Sequence, residues 1–112
     1  MKRTLLILAV LLTTLSACTK ATVYNNGDFE GAVDGKYGPV TVSVTLDNDK
    51  ITAVTVVSHS ETPGISDPAI TGIPEAIVKA NSVEGIDVVA GATITSNAII
   101  GAAQAAIEKA KK

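Results

Sequence analysis

Thr93, Thr95 and Ser96 crowd three hydroxyls into the stretch Asp87-Val88-Val89-Ala90-Gly91-Ala92-Thr93-Ile94-Thr95-Ser96-Asn97, just where an apolar run of helical spacing begins. The start of a helix presents N–H groups without intrahelical partners and the positive end of the helix dipole, a natural seat for phosphate. Gly91 and Ala92 leave the backbone there open to close approach by a bulky group. On these residues alone the chemistry is the binding of an anion. The commoner reading of such a pattern is an ordinary helix capped by a Ser or Thr behind a glycine turn. The second cluster is His59-Ser60-Glu61-Thr62-Pro63-Gly64, with the chain's one imidazole and a carboxylate in a Pro- and Gly-bearing loop. As a base His59 lacks a Gly-x-Ser-x-Gly nucleophile elbow to serve. As a metal ligand it stands alone. The plain alternatives are a polar loop histidine bonded to backbone and, for Glu61, a solvated surface carboxylate.

The elements that must position these groups follow from periodicity. Phe29 to Val33 reads as a short strand, followed by a Gly-bearing turn from Asp34 to Gly38. Val40, Val42, Val44 and Leu46 alternate with Thr41, Ser43, Thr45 and Asp47, the period of a strand. Asp47-Asn48-Asp49-Lys50 is a turn, and Ile51 to Ser58 is a second β-branched strand, completing a hairpin. Pro63, Gly64, Pro68, Gly72 and Pro74 make residues 59–74 a loop with one helical turn after Asp67, and Pro74 suits the first turn of a short helix to about Ala80. Asp87-Val88-Val89 is expected as a brief strand. From Ser96 onward a helix runs to the C-terminus, with Ile99, Ile100, Ala103, Ile107 and Ala110 on one face and Thr95 or Ser96 as its N-cap. A hairpin-based sheet with segregated helices is an α+β pattern, a small antiparallel sheet with helices packed on one side.

Composition narrows the function. The apolar content is front-loaded: Leu5 to Leu15 reads LLILAVLLTTL behind Lys2 and Arg3. That is a secretory leader and is too short to span a bilayer, which takes about 20 residues. Without residues 1–17 the chain keeps seven basic against 11 acidic side chains and three aromatics, no footprint for nucleic acid. One Cys excludes an internal disulfide, and one His a multi-histidine metal site. With only Tyr24, Phe29 and Tyr37 as aromatics, Tyr37 is expected to pack in the core, with stacking on a ligand ring as the other option.

Three blocks carry a resemblance. Asp87 followed by Ala90-Gly91-Ala92-Thr93 resembles the flavinylation motif of the FMN-binding domain family, with Ala90 where Ser or Thr is usual. His59-Ser60-Glu61-Thr62-Pro63-Gly64 is similar to the family's His-x-Glu-Thr-Pro-Gly signature, with Ile65-Ser66 departing from the usual Leu-Gly. Gly35-Lys36-Tyr37-Gly38-Pro39-Val40 and Ile51-Thr52-Ala53-Val54 resemble the turn and strand of its central sheet, in the same order. The family includes flavin-bearing subunits of Rnf complexes and of sodium-pumping NADH:quinone oxidoreductases. The resemblance implies FMN attached covalently to Thr93 through a phosphoester, by a flavin transferase that consumes FAD and recognises Asp87, Gly91, Ala92 and Thr93. It further implies a cofactor site made by His59, Glu61, Thr62, Pro63, Gly64, Gly91, Ala92, Thr95 and Ser96, with the 59–64 loop against the isoalloxazine.

Leu15-Ser16-Ala17-Cys18 likewise resembles the bacterial lipobox, which implies cleavage before Cys18, its lipidation, and an extracytoplasmic domain anchored to a bacterial membrane. Two acyl chains hold firmly where one does so marginally. The expected organisation is a lipoprotein signal peptide at 1–17, the lipidated Cys18 and a tether through residue 28, and an FMN-binding domain over 29–112. A covalent flavin offsets the shortage of aromatic rings with which to grip one. The expected role is an electron carrier between a membrane-bound donor and an external acceptor or reductase. The alternatives are a non-redox lipoprotein holding an anionic ligand and a small flavin-dependent reductase.

Overall fold

The computed structural model describes residues 22–112. Residues 1–17, expected as a signal peptide, and Cys18 lie outside the described residues. Strands β1 (Gly27–Asp34), β2 (Pro39–Asp47) and β3 (Lys50–Ser58) form one antiparallel sheet in the order β1-β2-β3, followed by helices α1 (Asp67–Ala80) and α2 (Thr93–Ala110). The architecture is α+β with the helices on one face of the sheet, as the sequence pattern predicts.

The central strand shows why. Val40, Val42, Val44 and Leu46 are all buried, while Thr41, Ser43 and Thr45 between them are half-buried. Full burial of each such aliphatic side chain is worth about 1.5–3 kcal/mol, so the period-two pattern selects the face on which the helices settle. Their partners are Ala69, Ile73 and Ile77 of α1 and Ala98, Ile99, Ala102, Ala103, Ala106 and Ala110 of α2. An alanine-rich helix face can lie very close to a sheet. A methyl at Gly31 of β1 would overlap the Ala102 carbonyl oxygen and stand 2.6 Å from the Ala106 nitrogen. The β2–β3 hairpin turns through Asn48 (φ 49°) and Asp49 (φ 63°), two left-handed residues in a two-residue loop that matches strand twist.

Several elements depart from the sequence expectation. The first strand is longer than Phe29 to Val33, and its far end carries on a docked segment. Val23 and Tyr24 both donate their N–H groups to the Asp49 carboxylate (2.9–3.0 Å), Asn25 N–H donates to the Ala110 carbonyl, and Lys112 N–H to that of Val23. The stretch read as a tether is therefore fastened to the domain from Val23 onward. Helix α1 starts at Asp67 instead of Pro74. Pro68 occupies its first turn, where a missing N–H costs nothing. Pro74 sits inside the helix, its ring buried, so packing offsets the bond it cannot donate. Asp87-Val88-Val89 pairs with no strand, and lies in an irregular connection. Tyr37 is 59% exposed, outside the core, with the Lys36 ammonium 5.4 Å above its ring.

Candidate functional site

Helix α2 begins at Thr93, three residues earlier than expected, and neither Thr95 nor Ser96 caps it. The N-cap is Ala92 (φ −132°, ψ 42°), which has no side-chain acceptor to offer. A Ser or Thr at that position is worth about 1 kcal/mol over Ala; Thr95 and Ser96 lie inside the helix, past the position from which a hydroxyl caps it. Both are committed elsewhere. Ser96 Oγ donates to the Ala92 carbonyl (2.7 Å) and accepts the Val89 N–H (3.0 Å), fastening the turn before the helix. Thr95 Oγ1 donates to Glu61 Oε1 at 2.6 Å. Thr93 is exposed, and its hydroxyl takes no partner among the described residues. Nor do the N–H groups of Thr93, Ile94 and Thr95 find a protein acceptor there, whereas Ala92 N–H donates to Val89 and Ser96 N–H to Ala92.

A cavity of about 290 Å³ opens at this helix start. Its walls come from three segments: Lys36 from the β1–β2 turn; Glu61, Thr62, Ile65 and Ser66 from the loop after β3; and Gly91 to Thr95. Glu61 is 4% exposed and joins the three. Besides Thr95, its carboxylate accepts the N–H groups of Lys36 (3.1 Å) and Tyr37 (3.4 Å). Its own N–H donates to His59 Nδ1 at 3.1 Å. Burial pushes the Glu61 carboxyl up, but the Thr95 hydroxyl, the two turn N–H groups and nearby His59 outweigh it and hold the pKa below the usual glutamate range. Gly35 is what lets the carboxylate this near the turn, since a Cβ there would stand 2.7–2.9 Å from its oxygens and carbon.

Of the residues singled out from sequence, Glu61, Thr62, Gly91, Ala92, Thr93 and Thr95 meet at one cavity. Glu61 is buried there, which overturns its reading as a solvated carboxylate. Ser96 is buried just behind the wall. His59, Pro63 and Gly64 are exposed and stand outside the lining, with Gly64 N–H tied to Asp67 Oδ2 at 3.1 Å. Asp87 is exposed in the irregular run that leads to Gly91. Lys36, Ile65 and Ile94 line the cavity without having been picked out. Ile65 (62% exposed) and Ile94 (54%) put apolar side chains on its rim. The glycine turn around Lys36 was a signal for it; two isoleucines in a polar neighbourhood were a signal for the rim.

Residues 35–108 match the FMN-binding domain family. The chain belongs to that family. Among similar proteins, NADH:acrylate oxidoreductase of Vibrio harveyi is 34% identical over 78% of this chain and 9% of its own length. An uncharacterized protein of Treponema pallidum (strain Nichols) is 37% identical over 82% of this chain and 25% of its own. Urocanate reductase of Eggerthella lenta is 32% identical over 70% of this chain and 13% of its own. The chain thus spans a quarter or less of the length of these relatives.

The FMN-binding domain is a flavoprotein module, and the cavity suits its cofactor. The open N–H groups are donors for a phosphate, Lys36 adds a cationic residue to the lining, its ammonium over the Tyr37 ring, and the isoleucine rim offers apolar contact. Ligand pockets run to about 300–1,000 Å³, so a cavity at the foot of that range would enclose part of FMN and leave the rest outside. Among the described residues Lys36 is the one cation in its lining.

Proposed function

We propose that FMN is joined by a phosphoester to Thr93 Oγ1, and that the domain carries electrons on the outer side of a bacterial membrane to which the lipidated Cys18 anchors it. One observation carries this reading. Of the three hydroxyls in the motif, Thr95 and Ser96 are engaged inside the protein, and Thr93 alone lines the cavity with no partner among the described residues, in the same lining as Lys36 and beside N–H groups equally without an acceptor there. Attachment by a flavin transferase balances with FAD as donor. Thr93 Oγ1 attacks the flavin-side phosphorus, the pyrophosphate P–O bond breaks, AMP departs and the hydroxyl proton passes to solvent base. Bound FMN supplies one- and two-electron transfer. The chain's own part is to hold the ester at a rigid helix start, to set Lys36 against its charge, and to leave much of the ring's edge open to partners.

The lipobox resemblance supports the anchor, and the structure shows where a chain coming from Cys18 joins the domain. Val23 to Asn25 are fastened at the C-terminal end of α2, whereas Thr93 is at its beginning. Eighteen helical residues at 1.5 Å each separate the two by about 25 Å. In this reading the lipid anchor enters at the end of α2 opposite Thr93, and the membrane-bound donor and the external acceptor or reductase both meet the flavin at the cavity rim.

Intact mass of protein produced together with a flavin transferase tests the attachment. The expected gain is the mass of FMN less water, on the peptide bearing Thr93, and none in Thr93→Ala. A label that persists in Thr93→Ala, or a bare Thr93 beside an active transferase, refutes it.

A further inference from the structure

We propose that Glu61 is a positioning residue, one whose carboxylate holds the β1–β2 turn and the first turn of α2 together so that Thr93 and Lys36 face the same cavity. This rests on Thr93 as the flavin's attachment point. The carboxylate has little left to give a ligand: one oxygen takes the Thr95 hydroxyl and the Lys36 N–H, the other the N–H groups of Lys36 and Tyr37. What it does instead is mechanical and electrostatic. By engaging Thr95 it fastens the first turn of α2, whose N–H groups at Thr93 to Thr95 have no acceptor among the described residues, to the opposite wall of the cavity. By taking the backbone of Lys36 it sets the base of that side chain across from Thr93, in the same lining. His59 supports the arrangement from outside, accepting the Glu61 N–H, and Gly35 makes room for it. A conformation prepared in advance spares the ordering cost when a large group is attached.

Two near-isosteric substitutions test the linkage. Thr95→Val removes the donor and keeps the shape, and Glu61→Gln removes the charge. In amide nuclear magnetic resonance spectra of the unmodified protein, Thr95→Val is expected to shift the N–H signals of Lys36 and Tyr37 on the opposite wall as well as that of Thr93. Signals of Lys36 and Tyr37 that stay in place overturn the proposal. In transfer from FAD by the transferase, each single substitution is expected to lower kcat about tenfold with KM unchanged, the loss of one charge-assisted bond in the reacting geometry. The double variant falls clearly short of the product of the two single losses, because both substitutions act on one shared contact. Effects that multiply, or single variants that transfer at the parent rate, overturn it. Parent protein that takes up no flavin at Thr93 sinks the attachment reading instead, while the amide signals still decide whether Glu61 couples the two walls.

Discussion

Replacing Gly31 by alanine drives a methyl group into the backbone of α2. The new Cβ would overlap the Ala102 carbonyl oxygen, stand 2.6 Å from the Ala106 nitrogen and 2.9 Å from the Ala105 methyl. Unstrained heavy-atom contacts lie near 3.5–4.0 Å, so helix and strand must part by roughly 1 Å. None of the atoms that meet the methyl can swing aside, since two are backbone and the third is attached directly to it. Overpacking of this kind costs about 1–3 kcal/mol, and a backbone clash belongs at the upper end. Alanine in place of glycine in a strand returns about 0.5–1 kcal/mol. The net loss is about 2 kcal/mol. For a domain of this size each kcal/mol moves the midpoint by roughly 4–8 °C, so Gly31→Ala should melt about 8–16 °C below the parent. Gly101→Ala is the matched control in α2. Gly101 is half-buried, the nearest atoms to its Cβ would be those of the Val33 side chain, from 3.3 Å, and alanine in a helix interior gains up to about 1 kcal/mol over glycine. It should melt at or above the parent temperature. Thermal and urea unfolding followed by circular dichroism decide both. A Gly31→Ala protein as stable as the parent, with Gly101→Ala the weaker of the two, would refute the account of how α2 lies on the sheet.

The docked N-terminal segment gives a pH-dependent stability. Hydrogen bonds from the Val23 and Tyr24 N–H groups hold the Asp49 carboxyl below its usual range, so its stabilisation is full above the unfolded-state pKa and is lost as pH falls through the folded one. Asp49→Asn should be less stable than the parent near neutral pH and equal to it once Asp49 is protonated; a difference that stays constant with pH would contradict this. Asn81 ends α1 at φ 52° while its Oδ1 accepts the Ile51 N–H at 2.7 Å. Asn81→Ala forfeits that bond and strains the left-handed backbone, a loss of about 2–3 kcal/mol in urea unfolding, and Asn81→Gly should recover the backbone part alone.

The three strands in their order, the buried face of the central strand, the hairpin and the two blocks that carry the site were all legible in the residues. These are signals of short range: alternation of Val and Thr in β2, Asn48-Asp49 at a turn, Gly91-Ala92 before a helix. They hold because a strand or a turn answers to its own side chains before it meets anything else. The helix starts were not legible. Pro74 looked like a beginning, but Pro68 had already taken that position, and burial against the sheet kept Pro74 within the helix. Thr95 and Ser96 looked like caps, because any hydroxyl at a helix start is a good acceptor for its N–H groups. Only the fold brings Glu61 beneath Thr95 and leaves Thr93 free, since that pairing joins residues far apart in the chain.

By itself, then, the sequence determined an α+β domain with a glycine-opened helix start crowded with hydroxyls, and its ordered motifs marked the FMN-binding family. The tertiary structure alone decided which hydroxyl is left unengaged, that Lys36 shares its cavity, and that Glu61 is buried between two walls. The reason is one of range. Periodicity records what each side chain prefers from solvent and from its neighbours, whereas a buried carboxylate is satisfied only by donors that closure of the whole fold delivers to it.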